Sequence, residues 1–141
     1  MTALVVDAGA LYAQADADEP QHTAVANVLR EERGTLVTSQ LVVAEADYLI
    51  LRRLGLDVKL AFLDDLAAGT YVVDALTPAE LAIARDVVAR YRDLELGLGD
   101  ASLVVLANRW QTRRLLTLDE RAFGAVIPLQ GGSFELLPAD G

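Results

Sequence analysis

Apolar residues recur along this chain in short β-branched runs of three or four, separated by longer stretches with helical spacing. Leu4 to Val6 reads as a strand buried on both faces, with Asp7 at its exit. A helix from Ala8 to Ala17 follows, then another from about Pro20 through Val25, Val28 and Leu29 to Arg33, with Gly34 placed to stop it. Thr35 to Thr38 predicts a second strand. Ser39 can then cap a helix from Gln40 to Leu54 that Gly55 ends. Leu56 to Ala68 predicts a further helix stopped by Gly69, and Tyr71 to Val73 a third strand. Thr77-Pro78-Ala79-Glu80 combines a capping box with proline at the first helical position, so a helix should run from Pro78 to about Leu94 with Leu81, Ala84, Val88 and Tyr91 as its buried stripe.

After Gly97 and Gly99 a helix is expected from Asp100 to about Gln111, then a fourth strand, Leu115 to Leu118, with Asp119 at its exit. The remainder suggests a short helix and one or two edge strands, and residues 138–141 a frayed tail. Strands separated by helices need right-handed crossovers, hence a mostly parallel sheet covered on both faces. The expected class is α/β, a three-layer α/β/α sandwich forming one domain over residues 1–141. Ligands of such sheets bind beyond the carboxyl ends of the strands, where Asp7 and Asp119 fall.

Composition narrows the chemistry. The 141 residues contain no cysteine and a single histidine, His22, which removes disulfides, thiolate metal sites, cysteine nucleophiles and multi-histidine zinc sites. Any metal must be held by oxygen. No apolar run approaches the 18 or so residues of a membrane span, and MTALVVDAGAL lacks the basic start of a signal peptide, so a cytoplasmic protein without membrane contact is expected. The net charge of −9 opposes a nucleic-acid partner at first sight. Bound cations would offset part of it, and all but one of the twelve bases are arginine, the better bidentate phosphate ligand.

Four acids stand at the edges of apolar segments: Asp7, Glu45, Asp100 and Asp119. Each has a structural reading. Asp7 and Asp119 can cap the helices that follow them, Asp100 can cap its own helix through the amide of Leu103, and Glu45 can pair with Arg52. Taken together they exceed what capping demands, and a hard divalent cation would neutralise them. Asp74, at the exit of YVVD, reads as structural. Arg109, Arg113, Arg114 and Arg121 bracket the last strand, either solubilising helix ends or holding phosphates that lead to the acids.

Asp7 in VVDAGAL, Glu45 in VVAEADYL, Asp100 in GLGDASLVVLA and Asp119 in LLTLDERAF resemble, in order and spacing, the acidic tetrad of the PIN-domain ribonucleases, specifically the VapC toxins of bacterial VapBC pairs. The resemblance implies that these four acids are catalytic and bind metal, with Ser39 and Thr117 supporting them. It implies a Mg²⁺- or Mn²⁺-dependent endoribonuclease acting on structured RNA, with tRNA or rRNA loops as targets. It also implies a homodimer and a cognate VapB-type antitoxin whose C-terminal segment covers the site, with the helices Leu41 to Leu54 and Leu56 to Leu66 as its candidate groove. A phospho-receiver would need an adjacent acidic pair after the first strand and a late lysine; a haloacid-dehalogenase phosphatase would need Asp-x-Asp. Neither is present. The remaining rival is a non-catalytic partner-binding scaffold whose acids only cap helices.

Overall fold

The computed structural model describes residues 2–141. Five short strands, β1 (Leu4–Val6), β2 (Leu36–Ser39), β3 (Val72–Asp74), β4 (Arg114–Leu116) and β5 (Glu135–Leu137), form one sheet in the order β3-β2-β1-β4-β5, every pairing parallel. The helices are α1 (Ala8–Ala15), α2 (His22–Glu31), α3 (Gln40–Leu54), α4 (Leu56–Ala67), α5 (Pro78–Arg90), α6 (Leu98–Arg109) and α7 (Glu120–Ala125). They flank the sheet to give the expected three-layer α/β/α sandwich.

β1 is the centre of this arrangement. Leu4, Val5 and Val6 are wholly buried because helices cover both faces of the strand, which is why it is uniformly apolar instead of alternating. The chain leaves β1 toward β2 and β3 on one side, then returns to β4 on the other, so the topological switch point lies at the carboxyl end of β1. Parallel pairing puts the exits of β1, β2 and β4 along one edge of the sheet. Asp7, Ser39 and Thr117 occupy those exits, and the Asp7 amide still donates to the Leu116 carbonyl at 2.9 Å.

Several boundaries differ from the sequence reading, each for a physical reason. α1 stops at Ala15, because Asp16 leaves the helix and accepts a bond from the Tyr12 hydroxyl. α2 begins at His22 and ends at Glu31, so Gly34 does not stop it. Gly34 is needed for a close approach instead: a Cβ there would lie 2.2 Å from the Thr2 carbonyl oxygen, beside the bond from the Leu4 amide to the Thr35 carbonyl. Gly55 and Gly69 do end their helices with positive φ, 91° and 79°. α5 keeps its capping box but ends at Arg90, after which Arg92–Leu94 form a 3₁₀ turn. Its buried side is Ala84 and Val87, with Val88 and Tyr91 partly covered, while Leu81 is 41% exposed. Residues 138–141 are not frayed: Asp140 closes a turn, accepting from the Leu136 amide at 2.7 Å and donating its own amide back.

Candidate active site

Asp7 is both a helix cap and a buried acid. Its Oδ1 accepts from the Ala8 amide at 2.7 Å, and its Oδ2 accepts from the Thr117 hydroxyl at 2.8 Å. Only 6% of the residue is exposed. Burial is the largest influence on the carboxyl and pushes it up to about 6; the two hydrogen bonds oppose this, and the charges of Asp100 and Glu45 add to it.

Thr117 links two of the acids. While donating to Asp7, its oxygen accepts from the Asp119 amide at 3.0 Å, and Asp119 Oδ1 caps α7 by accepting from the Ala122 amide at 3.0 Å. The cap reading of Asp119 therefore holds, and its second carboxylate oxygen has no hydrogen-bond partner among the described residues. Thr117→Val should lower stability by about 1–3 kcal/mol in urea unfolding, because the Asp7 Oδ2 and the Asp119 amide lose their shared partner together.

α6 begins at Leu98, so Asp100 lies inside the first turn. It does not cap through the Leu103 amide; its Oδ2 accepts from the Gly97 amide at 3.3 Å. Burial raises its carboxyl most, the Gly97 bond opposes the rise, and the Asp119 charge contributes to it. Glu45 lies on the exposed side of α3 yet turns its carboxylate inward: Oε2 would be 3.6 Å from a Cβ on Gly99. Desolvation, then the charge of Asp100, raises it. The expected pair with Arg52 is absent among the described residues, since that guanidinium sits over the Tyr48 ring, 5.8 Å from its centroid.

Ser39 caps α3 by accepting from the Val42 amide at 3.1 Å, and it bonds Ser102 at 2.7 Å. Ser102 in turn donates to the Gly99 carbonyl at 2.5 Å. With that donor direction fixed, Ser39 donates to Ser102, and the relay pins the first turn of α6 to the start of α3. Ser102 was missed in the sequence, although it stands two residues after Asp100 in GDAS, where a small buried hydroxyl is the available signal.

The acids thus influence one another in a chain: Asp7 with Glu45 and Asp100, Glu45 with Asp100, and Asp100 with Asp119. Among the described residues none of the four is in an ion pair, and no three acidic or histidine side chains are already drawn together around one ion position. Burial is the largest cause of the raised carboxyls of Asp7, Glu45 and Asp100, and repulsion between neighbouring acids adds to it. An all-oxygen donor set that lacks counter-charge suits a hard divalent cation.

The arginines divide. Arg109 forks onto Glu80, contacts Asp74 at 3.0 Å and donates to the Ala75 carbonyl at 2.8 Å. Arg113 donates to the Gly131 and Gln130 carbonyls, and Arg114 pairs with Glu32; both lie at the amino edge of the sheet, opposite the acids. The phosphate-holding expectation has no support at these three. Arg121, exposed on α7 and beside Asp119, has no partner among the described residues.

A parallel sheet with carboxylates beside its switch point has the layout in which α/β domains bind ligands. Residues 4–126 match the PIN domain family. Over 135 residues the chain is 43% identical to Ribonuclease VapC26 of Mycobacterium tuberculosis, an alignment covering 96% of this chain and all of that protein. The chain therefore belongs to the PIN-domain family and, within it, to the VapC endoribonuclease toxins. Solved structures agree on the fold. VapC20 of Mycobacterium tuberculosis, described as a Sarcin-Ricin loop cleaving toxin, superposes with a TM-score of 0.77 at 20% identity, covering 87% of this chain and 96% of that one. VapBC2 from Rickettsia felis, bound to a DNA fragment from its promoter, gives 0.65 at 12% identity, covering 95% and 98%. FitAcB from Neisseria gonorrhoeae gives 0.60 at 17%, covering 94% and 96%.

Proposed function

We propose that the chain cuts single-stranded loops of structured RNA, of the tRNA or rRNA kind, with Mg²⁺ or Mn²⁺ held by Asp7 and Asp100 and with Glu45 and Asp119 acting directly or through water. The observation that carries this reading is that Asp7, Glu45, Asp100 and Asp119 lie along the carboxyl edge of the sheet with none of them in an ion pair among the described residues. A scaffold that used acids only as caps would explain Asp7 Oδ1 and Asp119 Oδ1. It would also explain Asp100 Oδ2 at the Gly97 amide, and it leaves Glu45 without a partner among the described residues.

When bound, the metal would lower the pKa of an attacking water and offset charge on the leaving oxygen. The chain's own residues do the rest. Thr117 fixes the orientation of Asp7, the Ser39–Ser102 relay fixes the turn that carries Asp100, and Arg121 meets the RNA backbone from α7. No described helix is long and apolar enough to cross a membrane; the reading places the protein's work on RNA in the cytoplasm. Leu41, Tyr48 and Leu51 on α3, with Leu56, Leu60 and Leu63 on α4, leave an exposed apolar surface suited to a VapB-type antitoxin segment. A homodimer completes the proposed assembly.

The purified toxin, freed of antitoxin, should cut a loop-containing RNA in Mg²⁺ or Mn²⁺ and stop when EDTA is added. Cutting that persists undiminished in excess EDTA would reject the metal-dependent reading.

A further inference from the structure

Beside Thr117, outside the set of four acids, lies a concavity. It has a volume of about 250 Å³ and lies between the start of α2 and the exit of β4, with Thr117 on its inner wall. Thr117 is the residue that holds Asp7 and the Asp119 amide, so the cavity adjoins the catalytic edge directly. Ala24, Pro138 and Ala139 give it apolar sides, and the Asp140 turn holds the last two in place.

Besides Thr117, whose hydroxyl is already engaged, two polar side chains line it, Gln21 and Glu120. Gln21 sits at the N-cap of α2 but makes no capping bond with its side chain, so its amide is uncommitted. Glu120 has no hydrogen bond or ion pair among the described residues. A free carboxylate repels a phosphate, so this wall is not built for the RNA backbone. It is suited to a group that offers N–H donors. The cavity falls below the roughly 300–1,000 Å³ of pockets for drug-sized ligands, which leaves it on the scale of a single ring system.

We propose that this cavity receives one nucleobase of the RNA substrate, swung out of the loop beside the cut bond, and that guanine is the base it prefers. This rests on the nuclease reading above. Guanine presents adjacent N1–H and N2–H₂ donors, which a carboxylate accepts side by side, and an O6 acceptor, which the Gln21 amide can reach as donor. Adenine, cytosine and uracil each lack one half of that donor pair. Glu120 and Gln21 are specificity residues, and the apolar sides exclude water from the flat faces of the ring.

The test uses a hairpin RNA with one guanosine in an otherwise uridine loop, and the same hairpin with inosine or adenosine there. Binding is read by fluorescence anisotropy in Ca²⁺, and cleavage in Mg²⁺. The wild-type protein should favour guanosine over inosine, which lacks only the 2-amino group, by roughly tenfold. Glu120→Gln should bring that ratio close to one through weaker guanosine binding; Gln21→Ala should reduce the ratio in part. No preference in the wild type, or a preference intact in both variants, overturns the base site. If RNA is cut without base preference, the nuclease reading stands alone. If base preference appears without cutting, that reading fails and the base site survives.

Discussion

Asp7→Asn is expected to reduce RNA cleavage by roughly a thousandfold while making the metal-free protein more stable at neutral pH. The two effects share one cause. The folded chain raises the Asp7 carboxyl from 3.8 to about 6, so the folded state binds the proton more tightly than the unfolded state. Stability therefore falls as pH rises through that interval, and the penalty is complete above about 6. At 1.36 kcal/mol per pH unit the ceiling is about 3 kcal/mol. Asparagine keeps one oxygen for the Ala8 amide but turns an NH₂ toward Thr117, which returns part of the gain. The net expectation is a gain of about 1–2 kcal/mol at pH 7.5 that vanishes near pH 4, measured by urea unfolding in EDTA. A variant that loses activity and stability together at pH 7.5 would mean that Asp7 is structural.

Arg109→Met should have the opposite signature, costing about 1 kcal/mol with no change in RNA affinity. The guanidinium joins Glu80 on α5 to Asp74 at the end of β3, and the Trp110 indole donates to the same Asp74 at 2.8 Å. Removing it leaves two acids facing each other without their cation. Arg109 above all, then the Thr77 amide, lowers the Glu80 carboxyl to about 2, so this contribution is present at neutral pH and lost as pH falls from the ordinary carboxylate range toward 2. The gap between wild type and variant should be widest above pH 5 and close in acid. Arg121→Gln is the control: it should leave stability alone and reduce the salt dependence of RNA binding by about one counterion. A salt slope altered by Arg109→Met instead would return that residue to the RNA surface.

These residues also indicate what could be read in advance. Asp7 was legible because an apolar run that ends in an acid places a charge at a strand exit whatever the rest of the fold does. The Thr77 capping box was legible because its partners are three residues apart. Arg109 was not, because its partners lie 29 and 35 positions earlier and only the packing of α5 on α6 unites them. Arg113 and Arg114 misled through closeness to Asp119 in sequence: β4 intervenes, and a strand carries its two ends to opposite edges of the sheet. Glu45 is exposed as a residue although its sequence neighbours are apolar. The carboxylate nevertheless reaches the start of α6, where its Oε2 lies 3.6 Å from the position a Cβ on Gly99 would take. Ser102 was hidden for another reason. A serine inside an apolar helix looks like a tolerated polar residue until the start of α3 supplies its partner.

That the acids serve one cation can be tested by anomalous diffraction from crystals soaked in Mn²⁺. The account predicts a single strong site over the carboxyl end of β1, within roughly 2.2 Å of an Asp7 oxygen, with Asp100 ligating it directly or through one water. A manganese site elsewhere, or none while Asp7 keeps its bonds to Ala8 and Thr117 and the other acids stay apart, would contradict it.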